Sequence, residues 1–217
     1  MPEQKSQLLR DNIYVSLRDD ILMCRLAPGH DMREQELADR YAVSRQPVRE
    51  ALLRLEREHL VTVLPRQGYR VNPISVRDAR DLLRFRLALE PACVGEAIDG
   101  ASDEVLAALD DFRAFDAGRE GFIVYNRRFH SALAQASGNR RMAPVLCDVI
   151  DQCDRLVRVS VSSIKGNDPA RLVAEHAALI DAMQRRDRRA ALRIIKTHIQ
   201  QTEARVLPAL RRNAIVI

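Results

Sequence analysis

The stretch ELADRYAVSRQPVREALLRLEREHLVTVLPRQGYRV, residues 36–71, changes its periodicity twice, and those changes decide the fold. It opens inside a helical run, REQELADRYA at 33–42, crosses the short link Val43-Ser44, and enters RQPVREALLRLEREH at 45–59. In that second run Val48, Ala51, Leu52 and Leu55 recur at i, i+3, i+4 and i+7, the spacing of one apolar helix face. Ser44 stands where an N-cap belongs, and Pro47 falls in the first turn, where a missing N–H costs little. LVTVLPRQGYRVN then alternates in the manner of strands around PRQG, a turn signal. The reading is two short helices joined by a tight link and followed by a two-stranded hairpin.

Working outward, residues 8–24 read as a further helix with Leu9, Ile13, Leu17, Ile21 and Leu22 on one side, closed by the turn Leu26-Ala27-Pro28-Gly29. Three helices and a hairpin in this order describe a winged helix-turn-helix. In that fold the N-terminal residues of the last helix face the major groove. Arg45 and Arg49 lie one turn apart there with Gln46 beside them; arginine forks onto guanine edges and glutamine reads adenine. Ser44 and the helix N-terminal amides suit a phosphate, and Arg66 and Arg70 flank a wing tip where Gly68 lets backbone approach DNA closely. Spacing alone leaves a second reading open, a solvated basic face. Net charge does not decide between them: the chain carries +5 overall, yet residues 1–75 hold twelve Lys and Arg against eleven Asp and Glu.

A change of character falls at NPIS, residues 72–75. Beyond it lie long amphipathic patterns with clear starts. Ser75 with Asp78 suits a capping box, Ser102 precedes acids at 103 and 104, and Asp168-Pro169 pairs an N-cap with a first-turn proline. The expectation is a mainly α protein: a winged domain over 1–74 and an all-helical bundle over 75–217. Aromatic content of 4% and the absence of Trp agree with a helical chain of 217 residues. No apolar run approaches the roughly 20 residues that cross a bilayer, and MPEQKSQLLRDN carries no signal-peptide or lipidation pattern, so the expected location is cytoplasmic with no membrane partner. The four cysteines form no CxxC and read as ordinary buried thiols, RRDRR at 185–189 as a solvated helix-end turn, and NAIVI at the end as a tail or a dimer contact.

Three of the five histidines sit on apolar faces. His130 aligns with Ile123, Asn126, Leu133 and Ser137; His176 with Leu172, Leu179 or Ile180, and Met183; His198 with Ala191, Ile195 and Thr202. One histidine on such a face is usually a satisfied core residue. Three in one domain each need a partner, and a divalent metal bound by imidazole nitrogens satisfies all of them together. Both readings stand on spacing alone.

The motifs APG, ELA and VSRQPVREAL with the closing wing, over roughly residues 10–73, together resemble the DNA-binding domain of GntR-family transcription regulators. The resemblance implies that Arg33, Gln35, Ser44, Arg45, Gln46, Pro47, Arg49, Arg66 and Gly68 form the DNA-binding surface, with Ser44 capping the recognition helix. Two positions depart from the family pattern: Gln35 stands where arginine is frequent, and His59 where glycine is usual before Leu60. FRLALEPACVGEA, the NRRFHSALAQASGNRRM segment and EHAALIDAMQRRDRRAALRIIKTHI resemble the FCD effector-binding domain of the FadR-like subgroup. That likeness implies a divalent cation of the Zn, Ni or Mn class on Asn126, His130, His176 and His198, holding a small carboxylate such as a sugar acid or hydroxy acid. The family has an acid where Asn126 stands. Arg86 is the candidate anchor for the effector carboxylate.

The expected function is therefore a homodimeric, effector-controlled repressor on double-stranded operator DNA. Two alternatives compete: a metal-dependent helical enzyme, and a sensor that works without metal. The enzyme needs a general acid or base beside the metal. None is expected on the inward faces near His130, because the obvious position is Asn126 and Glu175 and Asp181 are expected to point outward. An amide oxygen coordinates more weakly than a carboxylate, so Asn126→Asp should tighten divalent-metal binding and Asn126→Ala weaken it. Metal titration by calorimetry checks this; equal affinities in all three proteins would remove Asn126 from the ligand set.

Overall fold

The computed structural model describes residues 2–160 and 168–212, so the final NAIVI lies outside the described residues. Contacts group the chain into an N-terminal unit ending at Ser75 and a C-terminal unit beginning at Val76.

In the N-terminal unit, α1 (Pro2–Leu22), α2 (Glu34–Arg40) and α3 (Arg45–Arg57) carry the apolar stripes read from the sequence. α1 begins at Pro2 rather than at residue 8. Ile13, Leu17, Ile21 and Leu22 are buried, while the side chain of Leu9 lies outside the described ones. Val48, Leu52 and Leu55 of α3 are fully buried against them. Each such aliphatic side chain contributes on the order of 1.5–3 kcal/mol by leaving water. Pro47 is buried with them in the first turn of α3.

The wing is larger than the two-stranded hairpin expected. β2 (Val61–Leu64) and β3 (Gly68–Val71) pair as read, but β1 (Asp31–Met32) adds to the other edge of β3, giving the antiparallel order β1-β3-β2. Two residues are too few to show alternation, which is why periodicity misses β1. This third strand explains Gly68. Its φ is +118°, and a Cβ there would sit 2.3 Å from the carbonyl oxygen of Met32. Glycine is required at Gly68 by the approach of β1 to β3.

His59 takes the backbone conformation of the glycine it replaces, with φ +58°. It sits one residue beyond Glu58, which caps α3. His59 N–H donates to Glu56 O at 3.0 Å and Leu60 N–H to Leu55 O at 3.0 Å, the paired bonds of a Schellman motif, with Leu55 and Leu60 both buried.

The C-terminal unit is built from α4 (Val76–Gly100), α5 (Asp103–Ala107) running into a 3₁₀ turn (Ala108–Phe112), α6 (Phe122–Ala136), α7 (Met142–Ser160), α8 (Pro169–Gln184) and α9 (Arg188–Arg212). The Ser102 hydroxyl accepts from Val105 N–H at 3.4 Å, and Asp168 from Ala170 N–H at 3.0 Å ahead of Pro169, as their sequence contexts require. Val94, Phe129, Leu133, Ile180, Met183 and Ile195 are among the fully buried centre of this unit. The arginine run at 185–189 is exposed but does more than meet solvent. Arg186, at φ +56°, donates to the carbonyls of Ile98 at 2.7 Å and Ala101 at 2.8 Å, closing the C-terminal end of α4. Among the described residues no helix is long and apolar enough to cross a membrane.

A left-handed non-glycine residue costs roughly 1–2 kcal/mol, part of which glycine returns as extra freedom in the unfolded chain. His59→Gly should therefore stabilise the protein by about 1 kcal/mol or somewhat less. A urea titration should show a higher midpoint with an unchanged slope.

Candidate functional site

Helices α6, α8 and α9 each turn one histidine inward, and His130, His176 and His198 are 0%, 1% and 6% exposed. One ring nitrogen from each lies within 4.8 Å of the others. Phe129 stacks on His176 with ring centroids 4.0 Å apart, which fixes the plane of that imidazole.

The hydrogen bonds around the rings decide which nitrogen each one offers. His130 Nδ1 is 2.5 Å from Glu90 Oε1, and His198 Nδ1 is 2.9 Å from Glu175 Oε2. An ionised carboxylate only accepts, so both Nδ1 atoms carry the proton. Tyr125 donates its hydroxyl to Phe112 O at 2.6 Å, so its oxygen accepts from His176 Nδ1, 3.3 Å away. Each ring thus keeps its lone pair on Nε2. The Nε2 atoms of His130 and His176 are buried with no hydrogen-bond partner, a state that costs free energy unless something fills it. Burial holds the His130 imidazole down to about 4, and burial with the neighbouring histidines pushes His176 lower still. The His130 and His176 rings are neutral near pH 7. Two buried, unpartnered Nε2 atoms with the His198 ring beside them, each ring oriented through its Nδ1, fit a divalent metal.

The expectation that no carboxylate approaches His130 is overturned. Glu90 on α4 is fully buried, with Oε1 on His130 and Oε2 2.6 Å from Arg86 Nε. Burial opposes its ionisation, but Arg86 and His130 more than offset this and hold it below the usual carboxylate range. Glu175 was expected to face outward and instead holds His198, whereas Asp181 does face outward, toward Arg113. Hydrogen bonding to His198 and Arg171 keeps Glu175 ionised. The centre is three imidazoles, two of them backed by carboxylates: His130 by Glu90 and His198 by Glu175.

Arg86 forms a buried ion pair within α4. It is 3% exposed, bonded along its own helix to Glu90, and its Nη2 has no partner. It lines a cavity of about 50 Å³ together with Asn126, Asp154, His198, Thr202 and Arg205. Asn126 is half-buried on that wall. Asp154 of α7 is 6% exposed with Oδ2 unpartnered, and burial pushes its carboxyl up to about 7 against the pull of Arg86 and Arg127. The cavity presents a guanidinium donor, a carboxyl acceptor and one histidine of the cluster.

In the N-terminal unit the expected DNA-facing residues divide. Arg33, Ser44, Arg45, Gln46, Arg49 and Arg66 are exposed, and Gly68 is half-exposed. Pro47 is not available, being packed under the first turn of α3. Ser44 has the extended backbone of an N-cap, but its hydroxyl accepts no hydrogen bond from α3. Arg33 stands in the same relation to α2. Gln35, the departure from the family pattern, accepts from Arg45 Nε and donates to Asp39 at 2.6 Å. Arg49 donates from Nε and Nη2 to the two oxygens of Glu34, both at 2.8 Å. Arg70 is paired with Asp31 across the sheet at 2.6 Å.

Glu34, Glu90, Tyr125 and Asp154 escape the sequence reading, and Glu175 enters it only as an outward-facing residue. The one visible signal is Glu90, a lone charge in the apolar run LALEPACV that cannot be solvated if the helix is buried.

The description "Bacterial regulatory proteins, gntR family" matches residues 9–71, and the FCD domain matches residues 81–201. An HTH-type transcriptional regulator in an unstable DNA locus of Streptomyces ambofaciens is 32% identical over 212 residues, covering 92% of this chain and 86% of the relative. The HTH-type transcriptional repressor RspR of Escherichia coli K12 is 28% identical over 215 residues, covering 96% and 93%. The solved structure of E. coli McbR is similar in fold, with a TM-score of 0.78 at 21% identity, covering 94% of this chain and 99% of that one.

Groups that orient a metal-binding histidine from behind are typically worth 10–100-fold in affinity. Tyr125→Phe removes the acceptor of His176 Nδ1 and should weaken divalent-metal binding by about that factor. Competition with a chromophoric chelator gives the constant, and a far-UV spectrum like that of the wild type shows that the helices persist.

Proposed function

The chain belongs to the gntR family of bacterial regulatory proteins and carries an FCD domain, and from that premise we propose a homodimeric repressor whose hold on operator DNA is set by a small carboxylate bound beside a divalent metal. It is a DNA-binding transcriptional regulator of this type, and its relatives are regulators rather than enzymes. A regulator of this kind works in the cytoplasm, where the chromosome is.

The observation that carries the metal and effector is the pair of buried, unpartnered Nε2 atoms of His130 and His176 grouped with His198, with the free Arg86 Nη2 in the adjoining cavity. His130, His176 and His198 would hold the cation, with Asn126 as the fourth candidate. Bound there, it supplies positive charge that a carboxylate oxygen can meet. Arg86 offers a donor to the same carboxylate, and Asp154 Oδ2 accepts from a hydroxyl on it, which favours a hydroxy acid over its deoxy counterpart. Asp154 and Arg86 sit on different helices, α7 and α4, so a ligand reading both ties them together. For that to alter operator affinity, the ligand must bind the DNA-competent and DNA-incompetent arrangements unequally.

The enzyme reading loses on a specific ground. Both oxygens of Glu90 are committed, one to His130 and one to Arg86, so the carboxylate nearest the histidines is not free to move a proton for a substrate. A sensor working without metal would leave the His130 and His176 Nε2 atoms unsatisfied.

Binding to duplex DNA from the chain's own promoter region should fall steeply with salt, and Arg49→Ala should weaken it by roughly 10–100-fold, the worth of one bidentate base contact. In the same assay, small hydroxy acids with divalent metal should release the protein, and their deoxy analogues should do so less. Sequence-independent binding under every condition would overturn the regulator reading; release that ignores metal would overturn the metal's part in it.

A further inference from the structure

The recognition-helix arginines are not loose surface side chains. α2 reaches Arg45 and Arg49 from behind. Glu34 takes Arg49 by its Nε edge, through Nε and Nη2, and Gln35 takes Arg45 by Nε. A guanidinium has five N–H groups, and an Nε-edge pair uses two of them. The Nη1 group and the outer hydrogen of Nη2 remain, and these form the end-on fork that matches guanine O6 and N7. Holding by Glu34 and reading by Arg49 are thus geometrically compatible: one face of the fork is fixed while the other is presented.

Two further observations give Glu34 a role beyond that of a solvated ion pair. Its side chain is 20% exposed while that of Arg49 is 53% exposed, so the carboxylate lies beneath and the cation projects. Tyr69 of β3 approaches the same carboxylate, at 3.5 Å, tying it to the wing. An anion on a surface that meets phosphates weakens non-specific attraction, which depends on Lys and Arg neutralising the backbone. Exposed ion pairs contribute little to stability unless bidentate, as this one is.

We infer that Glu34 is a positioning residue for base specificity: it restrains Arg49 so that the Nη fork reads a base edge and cannot swing to a phosphate. This rests on the operator-binding reading. Gln35 does the same for Arg45 with a neutral group, so the missing family arginine at Gln35 is replaced by a buttress and not by a lost contact.

The test uses the full chain and a pool of random duplexes, with enrichment repeated for wild type, Arg49→Ala, Glu34→Ala and Glu34→Gln. Glu34→Ala should lose sequence preference at the same base pair that Arg49→Ala erases. Its specific-to-scrambled affinity ratio should fall by about 10-fold or more, with tighter binding to scrambled duplex. The slope of log affinity against log salt should steepen by about 1, since a freed arginine adds one phosphate contact. Glu34→Gln, keeping one acceptor oxygen, should fall between. If Glu34→Ala enriches the wild-type sequence with the wild-type salt slope, whether or not its melting temperature drops, Glu34 is a structural ion pair and the inference fails alone. If wild type itself enriches no sequence, the operator-binding reading and this inference fall together.

Discussion

The C-terminal unit depends on the carboxylate of Glu90. It is fully withdrawn from water, accepts from Arg86 on one oxygen and faces His130 on the other. A single anion joins α4 to α6, sets the tautomer of one histidine, and permits a guanidinium to remain charged in the interior. Removing one partner from a buried pair of this kind costs about 3–5 kcal/mol, because the remaining charge has no other solvation. The interaction need not stabilise the fold relative to a well-packed apolar core. Its value is orientation. Arg86 and His130 are held in the one arrangement that leaves a free N–H and a free lone pair.

The same construction recurs in the N-terminal unit with other residues. Arg49 and Arg45 of α3 are gripped by Glu34 and Gln35 of α2, leaving their outer edges available. In both units a polar group with several bonding positions is used on one side by the protein and left open on the other. Packing makes this workable: Leu52 and Leu55 anchor α3, and Phe129 stacks on His176, so the polar groups are carried on well-packed elements.

What the sequence discloses follows from what repeats along the chain. The stripes of α3, α8 and α9 are visible because burial of one helix face recurs every three or four residues. The histidines stand out because each interrupts such a stripe. The hairpin shows through alternation and its PRQG turn. β1 is hidden because two residues form no pattern. Glu90, Glu175 and Glu34 are hidden because their partners lie 40, 23 and 15 positions away, distances set by packing that no local spacing encodes. The positive φ of His59 is the intermediate case: local sequence raises the question of a glycine position held by histidine, and only the backbone answers it.

Gly68 carries a consequence for reading genetic data. Its place at the wing, in a glycine-bearing turn, invites assignment as a DNA contact. The oxygen of Met32 already fills the space where a side chain would begin, and the backbone is in a region other residues rarely adopt. A screen for variants defective in operator binding would recover substitutions at Gly68 through collapse of the three-stranded sheet. Such variants report strand packing, and loss of binding in them is not by itself evidence of a contact between Gly68 and DNA.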